Sequence, residues 1–326
     1  METWKEYRLG EMIACNPQVK LEKDKQYNLV DIDSIEIGSR YVAGKELTTY
    51  EGQSGCHFQN GDTVMARITP CLENGKIAQV QCVSEKGFGS TELFVFRGIE
   101  NKTDTDYVFN LMSMQFIRNL AANSMTGASG RQRADLGFIK RIKWNFPPLP
   151  TQRRIASIIS TYDALIQNYK RQIAALQSAA SELYKEWFVR FRFPGYKNAK
   201  FDNGLPEGWK VEKLGELGII SAGGDKPSVF SEVKTDICKI PIFSNGIEND
   251  GLYGYTDKPA INKESVTVSA RGTVGFVCFR GEPYLPIVRL LSITPKDTHL
   301  TAKYLFYYLK DAHLDGNGTS QQQITI

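Results

Sequence analysis

Histidine is scarce, cysteine is scattered, and long apolar runs are missing. Three histidines (His57, His299, His313) and six cysteines (Cys15, Cys56, Cys71, Cys82, Cys238, Cys278) are spread over 326 residues without one C-x-x-C pair. That spacing excludes a zinc module and a disulfide framework, so no metal site is expected. Cys56 beside His57 is the one close pair and reads as a coincidence of an ordinary loop. No stretch approaches the ~18 to 20 apolar residues of a membrane span, and Met1 to Gly10 lacks the apolar core of a secretory signal. The expectation is a soluble, cytoplasmic protein with no membrane partner. A phosphate-binding loop needs Gly-x-x-x-x-Gly-Lys-Ser/Thr; at Gly75-Lys76, Pro70 stands where the first glycine should and Ile77 follows the lysine. ATP hydrolysis is therefore not expected. The Asp and Glu residues form no convincing run of paired carboxylates with a lysine, and read as surface charge rather than a metal nuclease centre.

What is present has ordinary globular proportions, 41% hydrophobic and 23% charged, which excludes a wholly disordered or low-complexity chain. At ~150 residues per domain the length suggests two globular units. Forty basic against 36 acidic residues leave a net charge of +4, a balance that permits nucleic-acid binding without announcing it. The densest basic cluster is Arg131, Arg133, Lys140, Arg141 and Lys143, with Asp135 the only acid among them.

An internal repeat organises the chain. Trp4-Lys5-x-x-x-Leu9-Gly10-Glu11 returns as Trp209-Lys210-x-x-x-Leu214-Gly215-Glu216, an offset of 209 − 4 = 205 residues. Ala66-Arg67 returns as Ala270-Arg271 at an offset of 204, each after a β-like stretch. Further on, Tyr107 to Leu111 resembles Tyr304 to Tyr308, and the turn Gly127-Ala128-Ser129 resembles Gly318-Thr319-Ser320. Each copy reads as a mixed domain of short β segments with glycine turns and one helix near its end.

Between the copies, Phe146-Pro147-Pro148-Leu149-Pro150 forbids a helix, and Thr151 can cap one that follows. Apolar residues then fall at Ile155, Ile158, Tyr162, Leu165, Tyr169, Ile173, Leu176, Ala180, Leu183 and Trp187. Steps of three and four mark a coiled-coil seam, broken by two successive fours from Leu165 to Ile173. A helix running to about Arg192, before Phe193-Pro194-Gly195, would span ~60 Å. The expected fold class is therefore α+β: two β-rich mixed domains related by the repeat and joined by a long coiled-coil-forming helix. The boundaries are 1–146 for the first domain, 147–192 for the proline-led helix, 193–208 for a linker and 209–326 for the second domain, its end incomplete.

Three segments carry a family resemblance. Pro147-Pro148-Leu149-Pro150-Thr151-Gln152-Arg153-Arg154-Ile155-Ala156, leading to Trp187-Phe188-Val189, is similar to the central conserved region of type I restriction-modification specificity subunits. Leu205-Pro206-Glu207-Gly208-Trp209 resembles the entry to a target-recognition domain. Ala66 to Lys76, with Ser269 to Gly275 as its counterpart, is the third. The resemblance covers essentially the whole chain. It implies a non-catalytic DNA-specificity subunit with two target-recognition domains on a bipartite double-stranded target. Methyltransferase (M) subunits would supply S-adenosylmethionine chemistry and a restriction (R) subunit would join for cleavage. Consistent with that division, Asn16-Pro17 continues into Gln18 rather than into the proline and aromatic of an adenine methyltransferase.

Family members carry a second helical region packed antiparallel on the first. These 326 residues stop at Gln323-Ile324-Thr325-Ile326 before one begins, and Thr151 stands where the family more often has an acid. The expected helix partner is then a second copy of the chain, a separately encoded second helix, or the methyltransferase.

Arginine can bridge guanine O6 and N7, and glutamine can do the same for adenine. Thr126 to Arg133 is the leading candidate for such readout, through Ser129, Arg131, Gln132 and Arg133, with Gly318 to Gln323 its equivalent through Ser320 and Gln322. Arg67 and Arg271 suit a phosphate contact or a structural hydrogen bond made in both copies. Lys76 suits a phosphate contact or a solvated turn. A coiled-coil scaffold with β-rich protein-binding domains is the alternative reading of the whole chain.

Overall fold

The computed structural model describes residues 3–128, 131–296, 299–312 and 314. The chain divides into two compact units, Met1–Gln172 and Ile173–Ile326, and the long helix Leu149–Tyr184 passes from one to the other.

In the first unit a five-stranded sheet has the order Ile13–Cys15, Leu93–Gly98, Thr63–Ala66, Ile77–Val80, Tyr41–Val42. Its central strands read as continuous apolar runs because both faces are covered. Side chains alternate between faces along a strand. Met65, Ile77, Phe94 and Phe96 therefore pack with Tyr107, Leu111, Met112 and Ile117 of the helices Thr105–Ser113 and Gln115–Asn123. Val64, Ala66, Ala78, Val80, Leu93 and Val95 point the other way, against Val30 and Phe58 of a second sheet. That sheet has the order Leu47–Thr49, Gln26–Val30, Lys86–Gly89, Cys56–Gln59. This copy holds more than the one late helix expected. Met114 takes an extended conformation (ψ 133°) that splits a pair of nine-residue helices, and Leu136–Arg141 adds another.

The second unit repeats this topology. Its four-stranded sheet runs Gly218–Ala222, Leu291–Pro295, Ser265–Val268, Val277–Arg280, the same chain-order permutation as the first four strands above. One-turn helices lead into the two sheets, Leu9–Met12 and Leu214–Leu217, at the offset of 205 read from the sequence. Val266, Val268, Leu291 and Ile293 pack with Leu305 and Leu309 of the helix Ala302–Asp311, capped by the Thr301 side chain. The opposite face is polar here. Buried Arg280 donates from Nε to Thr267 Oγ1 (3.0 Å) and lies over the Phe243 ring at 3.6 Å, while Ser265 bonds the Tyr284 hydroxyl at 2.9 Å.

The long helix starts at Leu149, two residues before the expected Thr151 cap, with Pro150 in its first turn. Proline is tolerated there because first-turn N–H groups have no intrahelical acceptor. Gln152, 1% exposed, fixes this end. Its carboxamide oxygen accepts from Asp104 N–H (3.0 Å), and its nitrogen donates to the carbonyls of Lys102 (3.1 Å) and Pro147 (2.9 Å). Three turns on, the Arg40 guanidinium, its side chain 2% exposed, reaches Asp163 at 2.7 Å and Asp106 at 2.9 Å and lies 4.8 Å over Phe109. At the other end the α-helix stops at Tyr184, earlier than the expected Arg192, and a π-turn follows over Lys185–Val189. There Tyr184 packs on Tyr304 (5.7 Å) and Tyr307 (5.8 Å), and Phe188 on Tyr304 (4.9 Å) and Trp209 (6.0 Å).

Arg40→Ala strands Asp163 and Asp106 beside a vacated buried site. Because both carboxylates keep some solvent access, the expected loss of first-unit stability is about 3 kcal/mol, the lower end for a broken buried pair. Urea unfolding of the variant, with a matched fall in midpoint and unchanged slope, checks it.

Candidate nucleic-acid interface

Arg67 follows the strand Thr63–Ala66, and the residues after it are bonded to Gln132, beside a paired Thr126 and Arg133. Thr126 and Arg133 exchange backbone hydrogen bonds (3.1 and 2.9 Å), and Thr69 N–H donates to the Gln132 carbonyl at 3.0 Å. Gln132 N–H in turn donates to Thr69 Oγ1 at 3.2 Å. Thr126, Gln132 and Arg133 are thus braced on their backbones, which leaves the fate of each side chain to be decided separately.

Arg133 grips Glu92 with two guanidinium nitrogens, Nε at 2.9 Å and Nη2 at 2.6 Å. Arg67 approaches the same carboxylate at 3.8 Å and covers the Phe94 ring at 5.2 Å. Arg133 beside Glu92 holds that carboxyl below its ordinary value. Lys76 turns inward, donating to the Ile32 carbonyl at 2.9 Å and facing Asp33 at 3.8 Å. Among the described residues, the Arg131 guanidinium and the Gln132 carboxamide have no hydrogen bond or ion pair. Arg131 is exposed and Gln132 half-buried. Of the basic cluster, Arg141 meets Asp135 at 3.8 Å and Lys143 meets Glu6 at 2.8 Å, so Arg133, Arg141 and Lys143 are all matched by acids.

Arg271 in the second unit is half-buried beside Gly272 (φ +68°), on a turn whose Ala270 N–H donates to Asn245 Oδ1 at 2.8 Å. Ser129, Ser320 and Gln322 lie outside the described residues. Cys56 and His57 sit in a strand rather than a loop. His57 bonds the Val19 carbonyl (3.0 Å) and the Tyr50 hydroxyl (3.1 Å), and burial pushes the Cys56 thiol up to about 12.

The second candidate surface is the helix seam. Ile155 packs on the first unit's core and Trp187 is half-buried near Phe188. Between them Ile158, Tyr162, Leu165, Tyr169, Ile173, Leu176 and Leu183 are exposed, Tyr162 by 65% and Leu176 by 70%. Ile159 and Ile166, which the three-four spacing alone does not pick out, are exposed too. With them the pattern becomes unbroken: Ile155, Tyr162, Tyr169, Leu176 and Leu183 recur every seven residues, as do Ile159, Ile166, Ile173, Ala180 and Trp187. Such a strict heptad is the signature of a left-handed coiled coil, so the earlier break came from choosing Ile158 and Leu165 as the seam.

The model of the type I restriction modification DNA specificity domain matches residues 1–178 and again 206–326. The chain belongs to that family. It is 32% identical over 315 residues to a Mycoplasma pneumoniae protein assigned as a type I specificity subunit, S.MpnORF507P, covering 91% of this chain and 81% of that protein. It is 28% identical to the Escherichia coli EcoEI specificity subunit over 56% of this chain, an alignment that spans 31% of that relative. The solved S subunit of a type I restriction-modification system from M. genitalium shares its fold, with a TM-score of 0.52, 13% identity and coverage of 96% of this chain and 80% of that one. Two target-recognition domains joined by a helix is thus the architecture of a type I DNA-specificity subunit. Among the described residues no helix is long and apolar enough to cross a membrane.

Glu92→Gln removes the charge that holds Arg133, and the loop's backbone bonds should open more often. The expected effect is a fall of about 0.5–1 kcal/mol in amide protection at Gln132 and Arg133, the scale of a partly exposed ion pair. Because Glu92 titrates below its ordinary 4.5 when folded, the clamp contributes fully at neutral pH and is lost as pH falls beneath that value. Hydrogen exchange corrected for intrinsic rates should show this acid loss in the parent and not in the variant.

Proposed function

We propose that this specificity subunit binds a bipartite double-stranded DNA target, one block read by each domain, and docks the catalytic chains rather than performing chemistry itself. Methyltransferase subunits bring S-adenosylmethionine, and a restriction subunit adds cleavage. The observation that carries the reading is the division of labour in the loop 126–133. Arg133 is occupied by Glu92, while the Arg131 and Gln132 side chains have no partner among the described residues. A fixed loop with a free arginine fork and a free carboxamide has the chemistry to address guanine and adenine edges. Arg67 and Arg133 shape the surface, and Lys76 supports the 32–33 loop beneath it, leaving phosphate contact to exposed cations such as Lys140.

A partner helix covers the exposed heptad seam in this account. The first choice is the same helix of a second copy, antiparallel, because a two-fold axis gives self-complementary contacts. A separately encoded helix or the methyltransferase are the other occupants. The scaffold reading shares this seam but assigns no task to Arg131 and Gln132.

Arg131→Ala and Gln132→Ala should each cost about 1–3 kcal/mol of discrimination at one base pair of the first block. Arg133→Ala should weaken binding through loss of loop order. Titration of target and altered duplexes at several salt concentrations checks this, since a pure phosphate contact weakens all sequences alike and flattens the salt slope. If neither variant changes target preference, the loop assignment is wrong.

Ile166→Asp/Ile173→Asp should convert a dimer to a monomer in light-scattering mass measurements. Each large side chain returned to water forgoes about 1.5–3 kcal/mol. A parent that stays monomeric alone and whose charged variant still assembles normally with the methyltransferase would remove the pairing role.

A further inference from the structure

Val288 and Arg289 are consecutive non-glycine residues in the left-handed region, at φ 53° and 58°. L-residues disfavour it, and a β-branched valine most of all. Hydrogen bonds hold the strain in place. Val288 N–H donates to the Gly224 carbonyl at 2.8 Å, Arg289 N–H to the Gly223 carbonyl at 2.9 Å, and Asn245 Nδ2 to the Val288 carbonyl at 2.7 Å. Gly223 makes the approach possible, because a Cβ there would lie 2.6 Å from the Pro286 carbonyl carbon.

The turn, closed by Leu290 N–H on the Ile287 carbonyl at 3.0 Å, seats Ile287 and Leu290 in the core, but the two residues at its tip gain no packing themselves. The Val288 side chain is 51% exposed and Arg289 is exposed as well. Among the described residues the Arg289 guanidinium has no hydrogen bond, ion pair or ring contact. Glycine or asparagine serves such a turn without strain, so a valine and an arginine kept at its two left-handed positions point to a use for their side chains.

Its neighbourhood supports this. Asn245 accepts from Ala270 N–H through Oδ1 (2.8 Å) and from Thr273 Oγ1 through its carbonyl (2.9 Å). One residue therefore ties the turn carrying Arg271 to the turn carrying Arg289. The first domain sets corresponding turns together: Arg67 follows the matching strand, and Glu92 lies just before Leu93–Gly98 as Arg289 lies just before Leu291–Pro295. In the first domain this turn region carries a carboxylate that holds Arg133; in the second it carries an arginine that has no partner among the described residues.

We infer that the Val288–Arg289 turn reads bases in the second domain's half of the target. Arg289 donates its fork to a guanine edge in the major groove, Val288 offers an apolar contact beside it, and Asn245 is the positioning residue. The assignment rests on the DNA-reading function proposed above.

The test uses the full chain with its methyltransferase subunit, selected on duplexes with randomised positions. Arg289→Gly and Val288→Gly keep the left-handed turn, which glycine accepts, and remove the side chains. Arg289→Lys keeps the charge and loses the fork. Arg289→Gly and Arg289→Lys should both relax the preference at one base pair by about 5- to 150-fold, with the other block unchanged and Arg289→Lys keeping affinity for nonspecific duplex. Val288→Gly should soften the neighbouring position. Unchanged selection in the Arg289 variants, while Arg131→Ala alters its own block, overturns this inference and leaves the DNA-reading function standing. Uniform weakening on every sequence makes Arg289 a phosphate contact and also overturns it. A parent complex that selects no sequence overturns both.

Discussion

Arg40 is a cation with almost no solvent, and the first domain's hold on the long helix depends on it. A buried guanidinium is tolerable only when every direction offers an acceptor or a ring face. Asp163 on the helix, Asp106 on the helix Thr105–Ser113, Gln79 on the sheet and the Phe109 ring supply them. Three layers of one domain therefore share a single charge, and the helix cannot rotate without exposing it. Gln152 repeats the logic one step earlier with neutral hydrogen bonds. Rotation matters because the heptad seam occupies one face only. A turn of the helix by one residue, ~100°, would carry the seam off its partner.

The second domain grips the same helix by another means. Tyr184 and Phe188 pack among Tyr304, Tyr307 and Trp209, and among the described residues no ion pair joins them. Aromatic packing tolerates small adjustments that a charge network does not. The two domains share a strand order but fill the far face of the sheet differently, with aliphatic side chains in one and Thr267, Ser265 and Arg280 in the other. A common frame with different loops and different second layers gives the two domains unlike surfaces, as the proposed two-block reading requires.

Local and periodic features were legible in the sequence. The repeat at 205 residues placed the two one-turn helices in register, and the three-four spacing located the long helix and its exposed face. Features made by distant residues were not. The ion pair of Arg133 was hidden because its partner Glu92 lies 41 positions away. Lys76 read as a phosphate contact or a solvated turn, and its bond to the Ile32 carbonyl was hidden because that residue lies 44 positions away. The helix start was misplaced because Pro150 reads as a breaker, although a first turn accepts it. Ile159 and Ile166 were missed because neighbouring Ile158 and Leu165 fit the same steps locally, and only the full seven-residue recurrence separates them. Val288–Arg289 carries no glycine or asparagine to signal a left-handed turn; that signal sits at Gly223 and Asn245, on other loops.

The central claim is that two domains on one helix address two blocks of sequence while other chains do the chemistry. Sequencing methylated adenines in DNA from cells that express this chain with its methyltransferase subunit tests it most directly. The account predicts methylation at one motif made of two specified blocks separated by a fixed number of unspecified bases, and none when either chain is expressed alone. Methylation at a single uninterrupted motif, or by the methyltransferase without this chain, would contradict it.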